Sequence, residues 1–247
     1  EDRIIIAKSG AVLPLVSLLH SADPETQENA VTALLDLLIN NNNKDLISAA
    51  NPVDPLVHVL AVGTQAAREN AAAALFALCT IGENKILIGQ SEAIPLLIDL
   101  LVNGSPRGKK DAITALCTLS EEPSNKLKLV RLNAVKPLVA LMSDPAFGLV
   151  DKAVVVIREL TQITEGVTSV GEVHGGIPGL VEVVETGSQR GKENATAALL
   201  RLCSHSMKFR IAILQEGAIP PLAALTRSGT PRGKAKVRFF FLSFFRF

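Results

Sequence analysis

Apolar residues along the chain fall into short, dense blocks separated by polar turns, and the blocks repeat. The phrase Gly10-Ala11-Val12-Leu13-Pro14-Leu15-Val16-Ser17-Leu18-Leu19 returns with variations around Pro55-Leu56-Val57, Ala93-Ile94-Pro95, Ala134-Val135-Lys136-Pro137, Gly176-Ile177-Pro178 and Gly217-Ala218-Ile219-Pro220. Its marker leucines Leu15, Leu56, Leu97 and Leu138 follow one another at a constant interval, and Leu180 and Leu222 follow at an interval longer by one. A second marker trails each of them at an offset that never changes, at Asn29, Asn70, Asp111, Lys152, Asn194 and Lys236. A polar–basic pair at Asp2-Arg3, Asn43-Lys44, Asn84-Lys85 and Asn125-Lys126 keeps the same frame. Self-similarity at one period of this length marks a stack of supersecondary units.

Each unit reads as three helices. A short first helix follows the Asn-Lys pair, where Asn is expected to cap free backbone N–H groups. Gly ends that helix, because it tolerates the left-handed conformation beyond a helix C-terminus. The second helix carries Pro in its first turn and an apolar face, Leu15, Val16, Leu18 and Leu19 in the first unit. After a Gly/Ser/Pro turn such as Gly104-Ser105-Pro106-Arg107-Gly108 comes a third helix rich in Ala and Leu, expected to be the most buried. No segment shows the alternation of a strand. A unit this small cannot bury its own apolar faces, so neighbours must stack. The expectation is an all-α, right-handed α-solenoid of about six units, near 1–41, 42–82, 83–123, 124–165, 166–207 and an incomplete 208–236.

Composition narrows the function. The chain has 247 residues, 48% hydrophobic, with a formal net charge of +1, which excludes a disordered chain and argues against a nucleic-acid binder. Three widely separated cysteines, Cys79, Cys117 and Cys203, suggest a reducing compartment. No apolar run reaches the ~20 residues of a membrane span, and the chain opens Glu1-Asp2 without a signal segment. A cytoplasmic location is expected, with the nucleus also open to it, and no stable membrane insertion. The end differs from the body: six of nine Phe lie between Phe239 and Phe247. Residues 237–247 are therefore expected to be a foreign tail in place of the sixth third helix, as if a splice junction had been read through. A chain starting at a first helix is likewise expected to be preceded by more protein.

The residues resemble the armadillo repeat, and more narrowly the armadillo region of plant U-box ubiquitin ligases. The resemblance covers about Glu1 to Lys236 and rests on Glu69-Asn70-Ala71-Ala72-Ala73-Ala74-Leu75-Phe76, Glu83-Asn84-Lys85 and Ser105-Pro106-Arg107-Gly108-Lys109-Lys110-Asp111-Ala112. It implies a solenoid that binds a protein, with a separate U-box recruiting the ubiquitin-conjugating enzyme. No stretch of this chain resembles a U-box, so the resemblance implies a recognition region. The alternative is a stand-alone armadillo scaffold with no ubiquitin role.

Catalytic chemistry is not apparent. Gly104-Ser105-Pro106-Arg107-Gly108-Lys109-Lys110 misses the phosphate-loop spacing, lacks a following Ser or Thr, and recurs as an inter-helix turn. His20, His58, His174 and His205 have no metal-ligand spacing with one another or with the cysteines. No catalytic residue, metal, cofactor or small-molecule substrate is expected.

In an armadillo solenoid the third helices line the concave groove, so the resemblance puts a protein partner there. Spacings of 3 and 4 share a helix face, which selects Asn29, Thr32 and Asp36, then Asn70, then Asp111, Thr114 and Thr118, then Lys152 and Glu159, and finally Asn194 and Arg201. Importin-like armadillo proteins clamp basic peptides with regularly spaced Trp and Asn on these helices. Here the Trp position holds Thr32, Ala73, Thr114, Val155 and Ala197, and the Asn position holds Asp36, Ala77, Thr118, Glu159 and Arg201. Without Trp there is no aromatic channel for lysine side chains. For Asn29, Asn70 and Asn194, bridging neighbouring helices is as good an expectation as touching a ligand.

Overall fold

The structure is a computed structural model that describes residues 1–244. All regular elements among the described residues are helical. In the first half they are α1 (Asp2–Ile6), α2 (Val12–Leu18), α3 (Pro24–Leu38), α4 (Lys44–Ala49), α5 (Val53–Val62), α6 (Gln65–Leu78), α7 (Gly82–Gln90), α8 (Ala93–Asn103) and α9 (Pro106–Leu119). They continue as α10 (Pro123–Arg131), α11 (Val135–Met142), α12 (Val150–Leu160), α13 (Thr164–Glu172), α14 (Gly176–Thr186), α15 (Gln189–His205), α16 (Met207–Gln215), α17 (Ile219–Ser228) and α18 (Pro231–Phe244). The helices thus come in triplets with the period of the marker leucines. The chain divides into two compact units, Glu1–Asn125 and residues 126–247.

Packing within each unit follows the apolar pattern. Every third helix packs on the second helix of its own triplet, as α6 does on α5 and α15 on α14. Third helices also pack side by side, α3 on α6 and α6 on α9 in the first unit, α12 on α15 and α15 on α18 in the second. Small side chains permit this: Ala67, Ala71, Ala72 and Ala74 of α6 are wholly buried. The marker leucines Leu56, Leu97, Leu138, Leu180 and Leu222 are buried as well. Each carries about 2 kcal/mol of burial free energy. In α2, however, the buried stripe is Val12 and Val16, leading on to Leu19, while Leu18 faces solvent.

Turns obey backbone chemistry. Between most first and second helices the chain passes through a left-handed residue: Gly10 (φ 93°), Gly175 (φ 83°) and Gly217 (φ 73°), with Asn51 (φ 52°) and Asn133 (φ 57°) at equivalent places, whereas between α7 and α8 Ser91 and Glu92 keep negative φ. Asn is the side-chain-bearing residue that best tolerates this region. The third helices α6, α9, α15 and α18 start at hydroxyl caps: Thr64, Ser105, Ser188 and Thr230 each accept the backbone N–H three residues on, at 3.0–3.1 Å.

Two expectations need correction. The asparagines of the Asn-Lys pairs do not cap N–H groups; their amides donate to carbonyls. Asn43 Nδ2 reaches Leu37 O (3.0 Å) and Arg3 O (3.0 Å). Asn84 Nδ2 reaches Leu78 O (3.2 Å) and Ser48 Oγ (2.9 Å), and Asn125 Nδ2 reaches Leu119 O (3.1 Å) and Lys85 O (3.1 Å). Each amide fills the acceptor end of the preceding third helix, where carbonyls lack intrahelical donors, and ties its own first helix to that preceding triplet. The second correction concerns the tail. The sixth third helix is present: α18 runs through Phe244, with 245–247 outside the described residues. Val237 and Phe240 are fully buried, occupying the positions of Ala195 and Ala198 in α15. Apolar side chains at i and i+3 make a helical stripe, and the Phe-rich segment supplies one. Phe240 stacks on Phe244 with ring centroids 6.0 Å apart. Phe239 and Leu242 stay exposed, at 61% and 64%.

Asn125→Ala leaves two carbonyls without their donor and is expected to cost about 1–3 kcal/mol, lowering the melting temperature read by circular dichroism. Phe240→Ala is expected to cost about 3 kcal/mol; a melting temperature equal to the parent would show that α18 is not packed through its aromatic end.

Candidate functional site

The side-by-side third helices leave one face of each open, and the residues expected to line a groove fall on or next to that face. In the first unit, Asn29, Thr32 and Asp36 of α3 are exposed, and Asp111, Thr114 and Thr118 of α9 are half-buried. Asn70 of α6 is buried between them. Its Nδ2 donates to Thr32 Oγ1 (2.8 Å), and its Oδ1 accepts from an Arg107 terminal nitrogen (2.6 Å). Arg107 Nε lies 3.6 Å from Asp111 and 3.7 Å from Glu69. A polar chain therefore crosses α3, α6 and α9, and Asn70 is occupied as its bridge. The threonine hydroxyls donate to their own helix, Thr32 to Glu28 O (2.7 Å) and Thr114 to Lys110 O (2.5 Å). What they offer outward is lone pairs and methyl groups.

A second brace runs beside this one. Each capping hydroxyl also donates to an acid on the preceding third helix: Thr64 to Glu28, Ser105 to Glu69, Ser188 to Asp151 (2.7 and 2.8 Å), and Thr230 to Glu193. The separations are 36 or 37 residues. The sequence breaks this rule once, where Lys110 holds the acid's place and Ala146 the hydroxyl's. Lysines of the Asn-Lys pairs brace the other end: Lys44 donates to Thr80 (3.0 Å) and Lys126 to Gln162 (2.7 Å), each 36 residues on.

In the second unit the ladder residues separate. Arg201 is exposed and Lys152 half-buried. Asn194 is buried, and Glu159 has no outward carboxylate. It lies 3.1 Å from Lys126 Nζ, with side chains only 9% and 6% exposed, contacts Arg158, and accepts from Gln162 Nε2 at 2.6 Å. Glu159 is thus a structural ion-pair partner, and its expected place in a groove is corrected. Its neighbour Arg158 instead faces a cavity of about 450 Å³ lined also by Val155, Arg190, Glu193, Arg232 and Lys236. Lys236 is held below the ordinary lysine value, first by burial and then by Arg158, Arg232 and Arg201, against the pull of Glu193. Sequence reasoning omitted Arg107, Arg158, Arg190 and Arg232 because they sit off the marker's helical face. The signal that could have found Arg107, Arg190 and Arg232 is the basic residue after each Ser-Pro, Thr-Pro or Ser-Gln turn.

Other chemistry is sparse. Burial pushes the Cys79 thiol up to about 12, which keeps it protonated and unreactive. Cys79, Cys117 and Cys203 form no disulfide among the described residues. The His20 and His58 rings meet at 5.0 Å, yet among the described residues no group of three or more His, Cys, Asp or Glu could hold a metal ion. Among the described residues no single helix is long and apolar enough to cross a membrane.

Residues 1–232 match the family described as "Plant U-box protein ARM repeat region". The chain is 68% identical over 209 residues to U-box domain-containing protein 2 of Arabidopsis thaliana, covering 85% of this chain and 29% of that protein. It is 60% identical over 236 residues to U-box domain-containing protein 12 of Oryza sativa subsp. japonica, covering 96% and 38%. The chain thus spans well under half the length of these relatives. Among solved structures, a designed armadillo repeat protein aligns with TM-score 0.83 at 22% identity, over 94% of this chain and 99% of that one. Another, in complex with the peptide (KR)4, aligns with TM-score 0.80 at 21% identity over 94% and 99%. At that identity the likeness concerns the fold, and the fold is the armadillo repeat.

Glu159→Ala strands Lys126 in a buried site and is expected to destabilise the chain by about 3 kcal/mol or more. Thermal denaturation checks this: an unchanged melting temperature would return Glu159 to the set of residues free to meet a partner.

Proposed function

The chain belongs to the armadillo-repeat region of plant U-box proteins, and we propose that it is the partner-recognition part of a U-box ubiquitin ligase. In this reading a segment of a protein lies across the open face of the third helices. The U-box for which the relatives are named recruits the conjugating enzyme, and the armadillo region brings the protein to be modified within reach.

The observation that carries the reading is the division of labour on those helices. One face is spent on Ala- and Leu-mediated stacking, and the buried polar groups Asn70 and Glu159 are spent on bracing. The exposed Asn29, Asp36 and Arg201 do neither. Polar side chains fixed on rigid, regularly spaced helices suit hydrogen bonding to an extended peptide. The designed protein in complex with (KR)4 supports a peptide-length segment as the kind of ligand. A basic peptide is a poor fit to the second unit, because Arg158, Arg190, Arg232 and Lys236 line its cavity. The partner is a protein rather than a small molecule or nucleic acid, and the site of action is the cytoplasm, with the nucleus also open.

Asn29→Arg, Asp36→Lys and Arg201→Glu together leave packing intact and change the open face. Affinity capture from plant extract with this triple variant is expected to lose the partners retained by the parent chain, by about tenfold or more. Equal recovery by the two would refute docking on this face. Ubiquitin transfer to a captured partner by the full-length gene product tests the ligase role separately; a binding protein that never supports transfer would be a scaffold.

A further inference from the structure

Charge is divided unequally between the two compact units. Residues 1–125 hold 8 basic and 15 acidic side chains, whereas residues 126–247 hold 17 basic and 9 acidic. The near-neutral whole therefore hides a second unit of formal charge +8. Within that unit the cavity between α12, α15 and α18 draws Arg158, Arg190, Arg232 and Lys236 together, with Glu193 as the lone acid of the lining among the described residues.

The cations of this cavity are poorly answered from within. The Glu193 carboxylate accepts the Thr230 hydroxyl. Glu159 answers Arg158 but shares its single charge with Lys126. Arg158 Nε is buried and has no hydrogen-bond partner. Among the described residues Arg190 and Arg232 make no ion pair, and Lys236 Nζ makes only a long hydrogen bond, 3.4 Å, to Glu193 O. Like charges held this close raise the free energy of the empty site, and an anion relieves it.

We propose that this cavity receives a phosphorylated serine or threonine side chain of the protein segment bound on the third helices, clamped by Arg158, Arg190, Arg232 and Lys236. The proposal rests on the docking reading above and specifies its chemistry. The lining carries four positive charges and one negative. A carboxylate would leave two of the net three unanswered, while a phosphate dianion leaves one. Guanidinium groups also match the oxygens of a phosphate in paired hydrogen bonds. Among the described residues the lining includes no aromatic ring on which a nucleic-acid base could stack, which disfavours a single strand as the occupant.

The test uses the whole 247-residue chain and fluorescent peptide pools with degenerate flanks around a central phosphoserine, serine or glutamate. A single-stranded oligonucleotide is run beside them. The phosphoserine pool is expected to bind about tenfold tighter than either other pool. That preference should vanish in Arg190→Gln/Arg232→Gln, whose two side chains are exposed and make no ion pair among the described residues, and persist in the control Lys8→Glu, which is outside the cavity lining. Circular dichroism confirms that each variant is folded. Equal binding of the glutamate pool, a preference that survives in the double variant, or tighter oligonucleotide binding lost in that variant would each overturn the proposal. If no pool binds while partner capture still depends on Asn29, Asp36 and Arg201, the phosphate site falls and docking stands. If capture is also insensitive to those residues, both fall.

Discussion

The structure depends on a shared surface that no single unit can complete. The wholly buried alanines of α6 bring its backbone close to both α3 and α9, and the leucines of α5 and α8 close the space beneath. A three-helix unit left alone would expose that alanine face to water and retain too little apolar burial to offset the ordering of its chain. Stacking is therefore the condition under which each triplet is folded at all. Small side chains at the seam let neighbouring third helices lie side by side, and that arrangement generates the open face.

Apolar stacking is tolerant of sliding, so register needs directional bonds. Three sets provide them, each recurring with the period of the triplets. Amides of Asn43, Asn84 and Asn125 tie the first helices to preceding carbonyls. Capping hydroxyls reach the acids Glu28, Glu69, Asp151 and Glu193, and Lys44 and Lys126 hold the far ends. A sliding error of one residue would leave several buried donors and acceptors unmatched at once, at about 1–3 kcal/mol each. Ahead of α12 a 3₁₀ turn at Pro145–Phe147 stands in place of the hydroxyl-capped turn, and that helix lacks a side-chain cap.

Periodicity made the helices, their triplet grouping and the buried leucines legible, because each depends on spacing alone. Even the aromatic end followed the period: Val237 and Phe240 sit where Ala195 and Ala198 sit, and the change in composition obscured a preserved pattern. Direction was not legible. An Asn side chain both donates and accepts, so Asn43 could cap either end of a helix until the carbonyl of Leu37 was seen beside it. Glu159 was misplaced because its partner Lys126 comes from an earlier helix of the same triplet, off the face that the marker follows. The basic cavity needs residues from three successive periods, Arg158, Arg190 and Arg232, and a reading that follows one helix face at a time does not converge them.

The unequal division of charge has a colloidal consequence. The chain as a whole is close to neutral, so mutual repulsion does little to keep copies apart. Each copy nevertheless carries one strongly acidic stretch, 1–125, and one strongly basic stretch, 126–247. The acidic part of one molecule attracts the basic part of the next when the Debye length is long, ~30 Å at 0.01 M salt, and ceases to do so when it contracts to ~8 Å at 0.15 M. This is the charge division of a patchy ampholyte, in which attraction between copies is strongest in dilute buffer and is screened at physiological ionic strength.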